Sequence, residues 1–167
     1  MVNKNPVGSK NSSVDRGPVL VATDFSEDSK AALLWACSYA AQVGADVIVL
    51  HVIHEPAEAP GSYRKSEGDV LRPMEDLAAD MMGKFVEDFR ESHPDLQALS
   101  AVETQLVKGI PETRILEVAE TTDARMIVMG SRGLTGLPHL LLGSKAERTA
   151  QLSPRPVTIV KGKRQHD

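Results

Sequence analysis

Short apolar runs alternate regularly with helical segments in this sequence, and no other feature limits its fold so strongly. The runs 18–23, 45–53 and 126–129 are almost continuously apolar, which predicts strands buried on both faces. Residues 98–107 alternate only weakly, so we expect them to form a half-exposed or edge strand. Pro156–Lys161 is the fifth predicted strand, because its apolar residues follow two prolines.

The first two helices are predicted from capping residues and from the spacing of apolar side chains. Ser26 begins a helix that continues to about Val43, and the acidic residues after Ser26 suit the positive end of the helix dipole. A second helix runs from Val70 to about Ser92. Its large apolar side chains recur at steps of three and four and are predicted to face the core: Met74, Leu77, Met81, Phe85 and Phe89.

Proline and serine mark the starts of the third and fourth helices. Pro111 lies near the first helical position of the third helix. The fourth helix begins at Ser144 and runs to about Leu152, and Glu147 would complete a capping box with Ser144. The buried face of the third helix is predicted to consist of Ile115, Val118 and Ala119.

The resulting order, βαβαβαβαβ, predicts an α/β fold with a five-stranded parallel sheet and helices on both faces, which is a Rossmann-like architecture. The expected strand order is 3-2-1-4-5. Ligands of such sheets bind outside the carboxyl ends of the strands, at the point where the strand order reverses. This rule brings Asp24, after the first strand, close to Gly130, after the fourth.

Composition and charge limit the class of protein. The chain has 167 residues, 41% hydrophobic and 25% charged, which predicts one globular domain at 17–162. Its net charge of −4 argues against general affinity for nucleic acid. We expect residues 1–16 to be a disordered leader and 163–167 a tail, and Cys37 to be a buried, inert thiol. No run has the length of a membrane span or the apolar core of a signal peptide, so a cytoplasmic location is the default expectation.

The segment after the fourth strand carries the most specific motif. Gly130, Gly133, Gly143 and Ser144 form the pattern G-x2-G-x9-G-S. Glycine lets the backbone approach a ligand, and a helix N-terminus offers unpaired N–H groups, so the pattern predicts a cradle for an anion such as phosphate. Ordinary turn glycines, with a serine that only caps its helix, are the alternative. The spacing fits neither the dinucleotide fingerprint nor the P-loop.

Other polar residues near the predicted switch point are candidates for ligand binding, and each also has a purely structural explanation. Asp24 suits ribose hydroxyls or a hydrated Mg²⁺, and otherwise a turn or a helix cap. Arg132 has the donors for a phosphate, and its alternative is a solvated loop charge. His51 and His54 lie on opposite faces of a strand, so a shared zinc site is not expected. His139 lies in an apolar loop, where a structural role is favoured over a phosphate contact.

The glycine motif and four flanking segments resemble the universal stress protein family, in its ATP-binding branch, from about Gly17 to Lys161. These segments are Val19–Ser26, Leu50–Val52, Leu140–Ser144 and Ala146–Arg148. The resemblance implies an adenine nucleotide alpha hydrolase-like fold and bound ATP, with Mg²⁺ or Mn²⁺ alongside. It implies that the backbone of Val52 reads the adenine edge, while Ala22 and Met129 flank the base and sugar.

The complete predicted set of cofactor-binding residues is Ala22, Thr23, Asp24, Val52, Met129, Gly130, Arg132, Gly133, Gly143, Ser144 and Lys145. Lys145 departs from the family, which usually has a small apolar residue there. A cation at that position would either add a phosphate contact or crowd the pocket.

Three functions stay open at this point. The first is a nucleotide-dependent stress-response regulator, whose ATP occupancy changes its surface or partners. The second is a slow ATPase that uses Asp24, Arg132 and a metal ion. The third is a partner-binding scaffold whose pocket is empty or structural. No Ser/His/Asp or Cys/His arrangement is evident, so no catalytic residue is assigned.

The last strand predicts a homodimer. Its residues Val157, Thr158, Ile159 and Val160 lie at a sheet edge, and an apolar edge tends to pair with another chain. The family resemblance implies the same, through antiparallel pairing of the last strands about a two-fold axis. Replacing Thr158 with proline is expected to weaken the dimer by removing a ladder hydrogen bond.

Overall fold

A computed structural model describes residues 17–54, 74–96, 102–133 and 142–162. Outside these ranges lie the predicted leader and tail, His139, residues 70–73 of the predicted second helix and residues 98–101 of the predicted third strand. Within them the elements are β1 (Val19–Ala22), α1 (Glu27–Val43), β2 (Val47–Ile53), α2 (Met74–Ser92), β3 (Val102–Lys108), α3 (Pro111–Thr121), β4 (Met126–Gly130), α4 (Ser144–Leu152) and β5 (Val157–Val160).

The five strands form one parallel sheet in the order β3-β2-β1-β4-β5, which confirms the predicted fold and strand order. Every residue of β1 and β2 is buried, as expected of strands covered on both faces. The edge strand β3 is only half-buried, as its weak alternation predicted. The strand β5 forms the other edge, next to β4.

Alternate residues of each strand serve two separate cores, because strand side chains alternate between faces. Val19 and Val21 pack into the core beneath α1 and α2. Leu20 and Ala22 pack into the core beneath α3 and α4. Cys37 lies in the first of these cores, which confirms its predicted burial, and burial raises the pKa of its thiol to about 11, which disfavours the reactive thiolate.

The buried face of α2 is partly different from the predicted one. Phe85 and Phe89 are buried as expected, but Met82 is buried in place of Met81. The face also includes Ala78 and Val86, whereas the remaining predicted residues, Met74, Leu77 and Met81, are only half-buried. The prediction followed the largest side chains, and it missed the true centre of the stripe because a small alanine occupies one of its positions.

The predicted helix starts are confirmed for α1 and α3. Ser26 is the N-cap of α1, and its Oγ accepts the N–H of Ser29 at 3.3 Å. Gly44 ends α1 in the left-handed conformation, at φ 64°. Pro111 is the first residue of α3. Each helix therefore begins where its sequence signal lies.

The predicted capping box of α4 is wrong. Gly143 is the N-cap, and no side chain caps this helix. The first turn closes when the N–H of Glu147 donates to the carbonyl oxygen of Gly143 at 2.9 Å. Ser144 is consequently the first helical residue, one position too late for its hydroxyl to cap the helix.

The backbone of β5 corrects the proposed use of Thr158. The carbonyl oxygens of Pro156 and Val160 accept bonds from Ile127 and Ser131, on the β4 side. Because alternate residues of a parallel strand direct their backbone groups to the same neighbour, Thr158 also faces β4. The outer edge is formed by the backbone groups of Val157 and Ile159. A proline at Thr158 would therefore break the intrachain ladder and would not test a dimer.

Candidate functional site

The site lies where the chain leaves β1 and β4. These strands are neighbours with Ala22 opposite Met129, so the segments after them emerge side by side. The structure brings Asp24 and Gly133 together at this edge, since a Cβ added to Gly133 would lie 2.6 Å from Asp24 Oδ2. Only glycine at position 133 lets the loop approach the carboxylate this closely.

Gly130 packs against the start of α1. A Cβ at Gly130 would lie 2.8 Å from the carbonyl carbon of Asp28 and 2.9 Å from the nitrogen of Ser29. These are backbone atoms, so any side chain would push β4 away from α1. Glycine is therefore required at this position because β4 lies so close to α1. The prediction had explained this glycine by close approach to a ligand.

The N-terminus of α4 is tied to the loop after β4. The N–H of Gly143 donates to the carbonyl oxygen of Ser131 at 2.7 Å, so the first turn of α4 begins beside that loop. A Cβ at Gly143 would lie 3.4 Å from the same oxygen and 3.9 Å from the nitrogen of Gly133. The loop from Gly130 to Gly133 thus lies next to the start of α4, where Ser144 is exposed.

Asp24 braces the turn that connects β1 with α1. Its Oδ1 accepts the N–H of Ser26 at 3.1 Å and the Oγ–H of Ser29 at 2.7 Å. Oδ1 therefore acts as expected for a turn residue, whereas Oδ2 faces Gly133. One carboxylate oxygen holds the turn, and the other lies at the border of the site.

Phe25 adopts a conformation that is rare for a large side chain, at φ 68°. Its ring packs against His51 with centroids 4.3 Å apart and against Phe85 with centroids 5.5 Å apart. This packing holds the turn between Thr23 and Ser26 in a conformation that isolated peptides would avoid. Thr23 contributes a side-chain bond, because its Oγ1 accepts the N–H of Phe25 at 3.0 Å.

His51 supports the same turn from β2. Its ring is buried, and Nδ1 lies 2.8 Å from the carbonyl oxygen of Thr23, so Nδ1 must carry the proton. Burial lowers the pKa of His51, although the Thr23 bond and the charge of Asp24 oppose this effect. No group of three potential metal-ligating side chains occurs within the described ranges.

Buried apolar side chains lie at the ends of the strands next to these loops, on the α3 and α4 side of the sheet. Ala22, Val52 and Met129 belong to one buried cluster there. The carbonyl oxygen of Leu50 accepts the N–H of Thr23 at 2.9 Å, so the backbone groups of Leu50 face β1. The backbone groups of Val52, two residues later, also face the β1 side. They lie beyond Ala22 and Leu50, the last pair between β1 and β2. The backbone of Val52 therefore points toward the edge of the site.

Asp28, which was not among the predicted site residues, organises the loop after β4. Its Oδ2 accepts the Oγ–H of Ser131 at 2.7 Å and the N–H of Arg132 at 3.1 Å. Its Oδ1 accepts the N–H of Gly162 at 3.2 Å. The guanidinium of Arg132 lies 3.3 and 3.4 Å away, so this arginine is a paired charge and the solvated-charge alternative is wrong.

Asp28 is only 6% exposed, yet it is charged. Burial raises the pKa of Asp28, but the hydrogen bonds from Ser131 and Arg132, the charge of Arg132 and the amide of Gly162 together hold it below its ordinary value. In the sequence, Asp28 looked only like an acidic residue in a first helical turn. The signal that could have identified it is its position near the switch point, close to the predicted loop that carries Arg132.

Comparisons with known proteins agree with this architecture. A sequence model described as the Universal stress protein family matches residues 16–161. The chain belongs to the universal stress protein family. It is 32% identical over 162 residues to the stress response protein NhaX of Bacillus subtilis, covering 86% of this chain and 96% of that protein. It is 29% identical over 153 residues to the universal stress protein MJ0577 of Methanocaldococcus jannaschii, covering 87% and 94%.

Solved structures show the same fold. The structure of MJ0577 matches this universal stress protein with a TM-score of 0.62 at 28% identity, covering 89% of this chain and 98% of that chain. A universal stress protein from Archaeoglobus fulgidus, solved in complex with dAMP, matches with a TM-score of 0.59 at 23% identity, covering 87% and 98%. Another universal stress protein was solved in complex with cAMP and matches with a TM-score of 0.57 at 23% identity, covering 89% and 99%.

Lys145, the departure from the family pattern, lies beside α3. Its Nζ is 3.5 Å from Glu112 Oε2, and its side chain is 52% exposed. That oxygen of Glu112 is buried and accepts no hydrogen bond from the described residues, so the ammonium group is the charge that faces it. In this universal stress protein the cation is thus engaged with a neighbouring helix.

A separate groove of about 420 Å³ lies away from the switch point, between the end of β3 and α3. Its charged lining includes Arg114, which already contacts the carbonyl oxygen of Lys108 and the carboxylate of Glu117. The groove therefore offers less for an anion than the glycine loop does. No helix in the described ranges is long and apolar enough to cross a membrane.

Proposed function

We propose that this universal stress protein binds ATP at the carboxyl ends of β1 and β4 and acts as a nucleotide-dependent stress-response regulator. One observation carries the proposal. Asp24, the loop that ends at Gly133 and the start of α4 at Gly143 lie together at the strand-order switch point. Two proteins of the same fold were solved with dAMP and cAMP, but the choice of ATP for this chain rests on its own residues.

The phosphates lie, in this proposal, against the glycine loop and the first turn of α4. Backbone N–H groups and the positive end of the helix dipole suit a polyanion. Gly133 and Gly143 place no side chain between the backbone and the ligand. Arg132 is 28% exposed, and its contacts with Asp28 are long for charged hydrogen bonds, at 3.3 and 3.4 Å. Its guanidinium is therefore the group that can turn toward a phosphate.

Adenine packs, in this proposal, against the apolar side chains of Ala22, Val52 and Met129, with the backbone of Val52 at its polar edge. Oδ2 of Asp24 serves the ribose hydroxyls or a hydrated Mg²⁺ or Mn²⁺ ion. A single carboxylate fits such an ion, because Mg²⁺ is usually held by one or two carboxylates together with phosphates and water. The phosphate oxygens would supply most of its ligands.

Isothermal titration of the purified chain with MgATP tests the proposal. We expect one ATP per chain, and GTP should bind more weakly because the adenine edge is read by backbone groups. A folded protein that binds no ATP at millimolar concentration would overturn the proposal and favour the scaffold alternative. Chromatography of nucleotide released from the denatured protein provides an independent check, because retained ATP would appear without any addition.

Hydrolysis is tested separately. Oδ1 of Asp24 accepts two hydrogen bonds within its own turn, which suits a binding and bracing role better than that of a mobile general base. We therefore expect binding without appreciable turnover. If the wild-type chain releases phosphate from ATP and Asp24→Asn does not, the protein is a slow ATPase.

We further propose a homodimer formed through the outer edge of β5. The four β5 residues are only half-buried, and the backbone groups of Val157 and Ile159 face away from β4. Replacing Ile159 with proline removes an outward N–H and should shift the protein toward monomer in light scattering. Ile159→Ala, which keeps that N–H, is the matched control for lost side-chain packing. A wild-type monomer at micromolar concentration would exclude this dimer.

A further inference from the structure

We infer that Asp28 couples occupancy of the phosphate loop to the end of β5. Its carboxylate accepts bonds from the loop after β4 and from Gly162, just beyond β5. The inference deepens the proposed function and rests on it, because a nucleotide phosphate is the ligand that would draw Arg132 away. Asp28 itself is a positioning residue, since it acts on the ligand only through the loop.

Three separate parts of the chain converge on this one buried carboxylate. Asp28 lies in the first turn of α1, while Ser131 and Arg132 lie more than 100 residues later in the sequence. Gly162 approaches so closely that a Cβ there would lie 2.7 Å from Asp28 Oδ1. A second link joins the same two regions, because the N–H of Ser131 donates to the carbonyl oxygen of Val160 at 2.8 Å.

Among the donors to Asp28, the guanidinium of Arg132 is the part that can move, because it ends a long side chain that is 28% exposed. The hydroxyl of Ser131 and the N–H of Arg132, at 2.7 and 3.1 Å, hold the backbone of the loop. The guanidinium nitrogens of Arg132, at 3.3 and 3.4 Å, are held more loosely. A triphosphate can therefore take the guanidinium while the loop backbone stays attached to Asp28.

Loss of the guanidinium leaves Asp28 as a buried carboxylate without its cationic partner. A buried charge that loses its partner depends more strongly on its remaining hydrogen bonds. These remaining donors are the Ser131 hydroxyl and the N–H groups of Arg132 and Gly162. ATP binding should consequently strengthen the bond to Gly162 and order the end of β5, which is the edge proposed to carry the partner chain.

Amide hydrogen exchange followed by NMR tests this coupling in the full chain. On addition of saturating MgATP, exchange of the Gly162 amide should slow by about threefold or more, because a charge-assisted bond becomes stronger. In Asp28→Asn, saturating MgATP should leave exchange of the Gly162 amide unchanged, because the carboxylate charge that Arg132 would release is absent. Glu27→Gln, which removes a neighbouring exposed charge of α1, should behave like the wild type.

Arg132→Ala gives a second, ligand-free test that does not depend on the folding of the Asp28 variant. Removing the guanidinium imitates its departure, so the Gly162 amide should be slowed without nucleotide. ATP binding by the wild type with no change at Gly162 would overturn the coupling alone. Absence of ATP binding by the wild type would overturn the proposed function and the coupling with it. A response retained by Asp28→Asn would also refute the role of Asp28.

Discussion

The two loops that border the proposed nucleotide site differ in where their side-chain hydrogen bonds come from. In the turn after β1, the carboxylate of Asp24 accepts bonds from its sequence neighbours Ser26 and Ser29 at 3.1 and 2.7 Å, and contacts of His51 and Phe85 with the turn add distant support. The loop after β4 is held from a distance, by Asp28 and by the carbonyl oxygen of Val160. A loop whose attachments are distant depends on the whole fold. We therefore expect changes at its contacts to cost more stability than changes in the first turn.

The largest expected loss of stability follows replacement of Gly130 with alanine. The added Cβ would meet backbone atoms of Asp28 and Ser29 at 2.8 and 2.9 Å, and these cannot rotate away. We expect the free energy of unfolding to fall by about 3 kcal/mol, near the upper range for overpacking. Urea unfolding followed by circular dichroism measures this change.

Gly83→Ala is the matched control for Gly130→Ala. Gly83 is exposed on α2, and a Cβ there would have no neighbour within 4 Å. Alanine in the middle of a helix should raise stability by up to about 1 kcal/mol. If the two variants proved equally stable, the loop after β4 would not be packed tightly against α1, and the comparison between the loops would lose its basis.

Asp28→Asn should have the second-largest effect. The substitution keeps the shape of the side chain but removes the charge that five hydrogen-bond donor groups approach. We expect a loss of about 2 kcal/mol at pH 7, as for weakened hydrogen bonds to a buried charge. The neighbouring variant Glu27→Gln, at an exposed position, should change stability by less than about 0.5 kcal/mol.

The pH dependence of stability distinguishes a charge effect at Asp28 from a packing effect. The pKa of Asp28 is lower in the folded protein than its ordinary value of 3.8. Its contribution is therefore fully present above that value and is lost as pH falls through the lower, folded value. The stability gap between wild type and Asp28→Asn should narrow in urea titrations below about pH 4. A gap that stays constant from pH 7 to pH 3 would mean that packing alone separates the two proteins.

The contrast between the loops also explains what the sequence could predict. The cap at Ser26 and the turn at Asp24 depend on spacings of a few residues, which a sequence displays directly. The buried strands were equally accessible, because burial on both faces leaves a continuous apolar run. The strained conformation of Phe25 had no such signal, since it depends on packing against rings of β2 and α2.

The loop after β4 was only half visible in the sequence. Its glycines stand out by spacing, but the reason for Gly130 is a helix that begins about 100 residues earlier. Asp28 escaped notice because an acidic residue in a first turn already has an adequate local explanation. Lys145 was an open alternative for the same reason, since its contact with Glu112 crosses from α4 to α3. Distant partners of polar residues remain hidden where several local explanations compete.

Asp24→Ala should separate stability from ligand binding more clearly than the preceding variants. The two hydrogen bonds to its Oδ1 are local, and loss of such a turn or cap residue typically costs about 1 kcal/mol. Oδ2, however, faces Gly133 at the border of the site, so ATP affinity should fall by about tenfold. Titration calorimetry and urea unfolding of the same preparation give both values. An unchanged affinity for ATP would remove Asp24 from the proposed site while leaving its role in the turn intact.

Lys145→Ala should have the smallest effect on stability. It tests whether the first turn of α4 adds a side-chain contact to the proposed site. Its contact with Glu112 is 3.5 Å long and about half-exposed, so its loss should change stability by no more than about 0.5 kcal/mol. If the lysine stays with Glu112, ATP affinity should change by less than about twofold. A tenfold loss of affinity that disappears at high salt would instead mean that the ammonium group moves to the phosphates. In that case Glu112→Gln should strengthen ATP binding, because it releases the lysine from the competing carboxylate of α3.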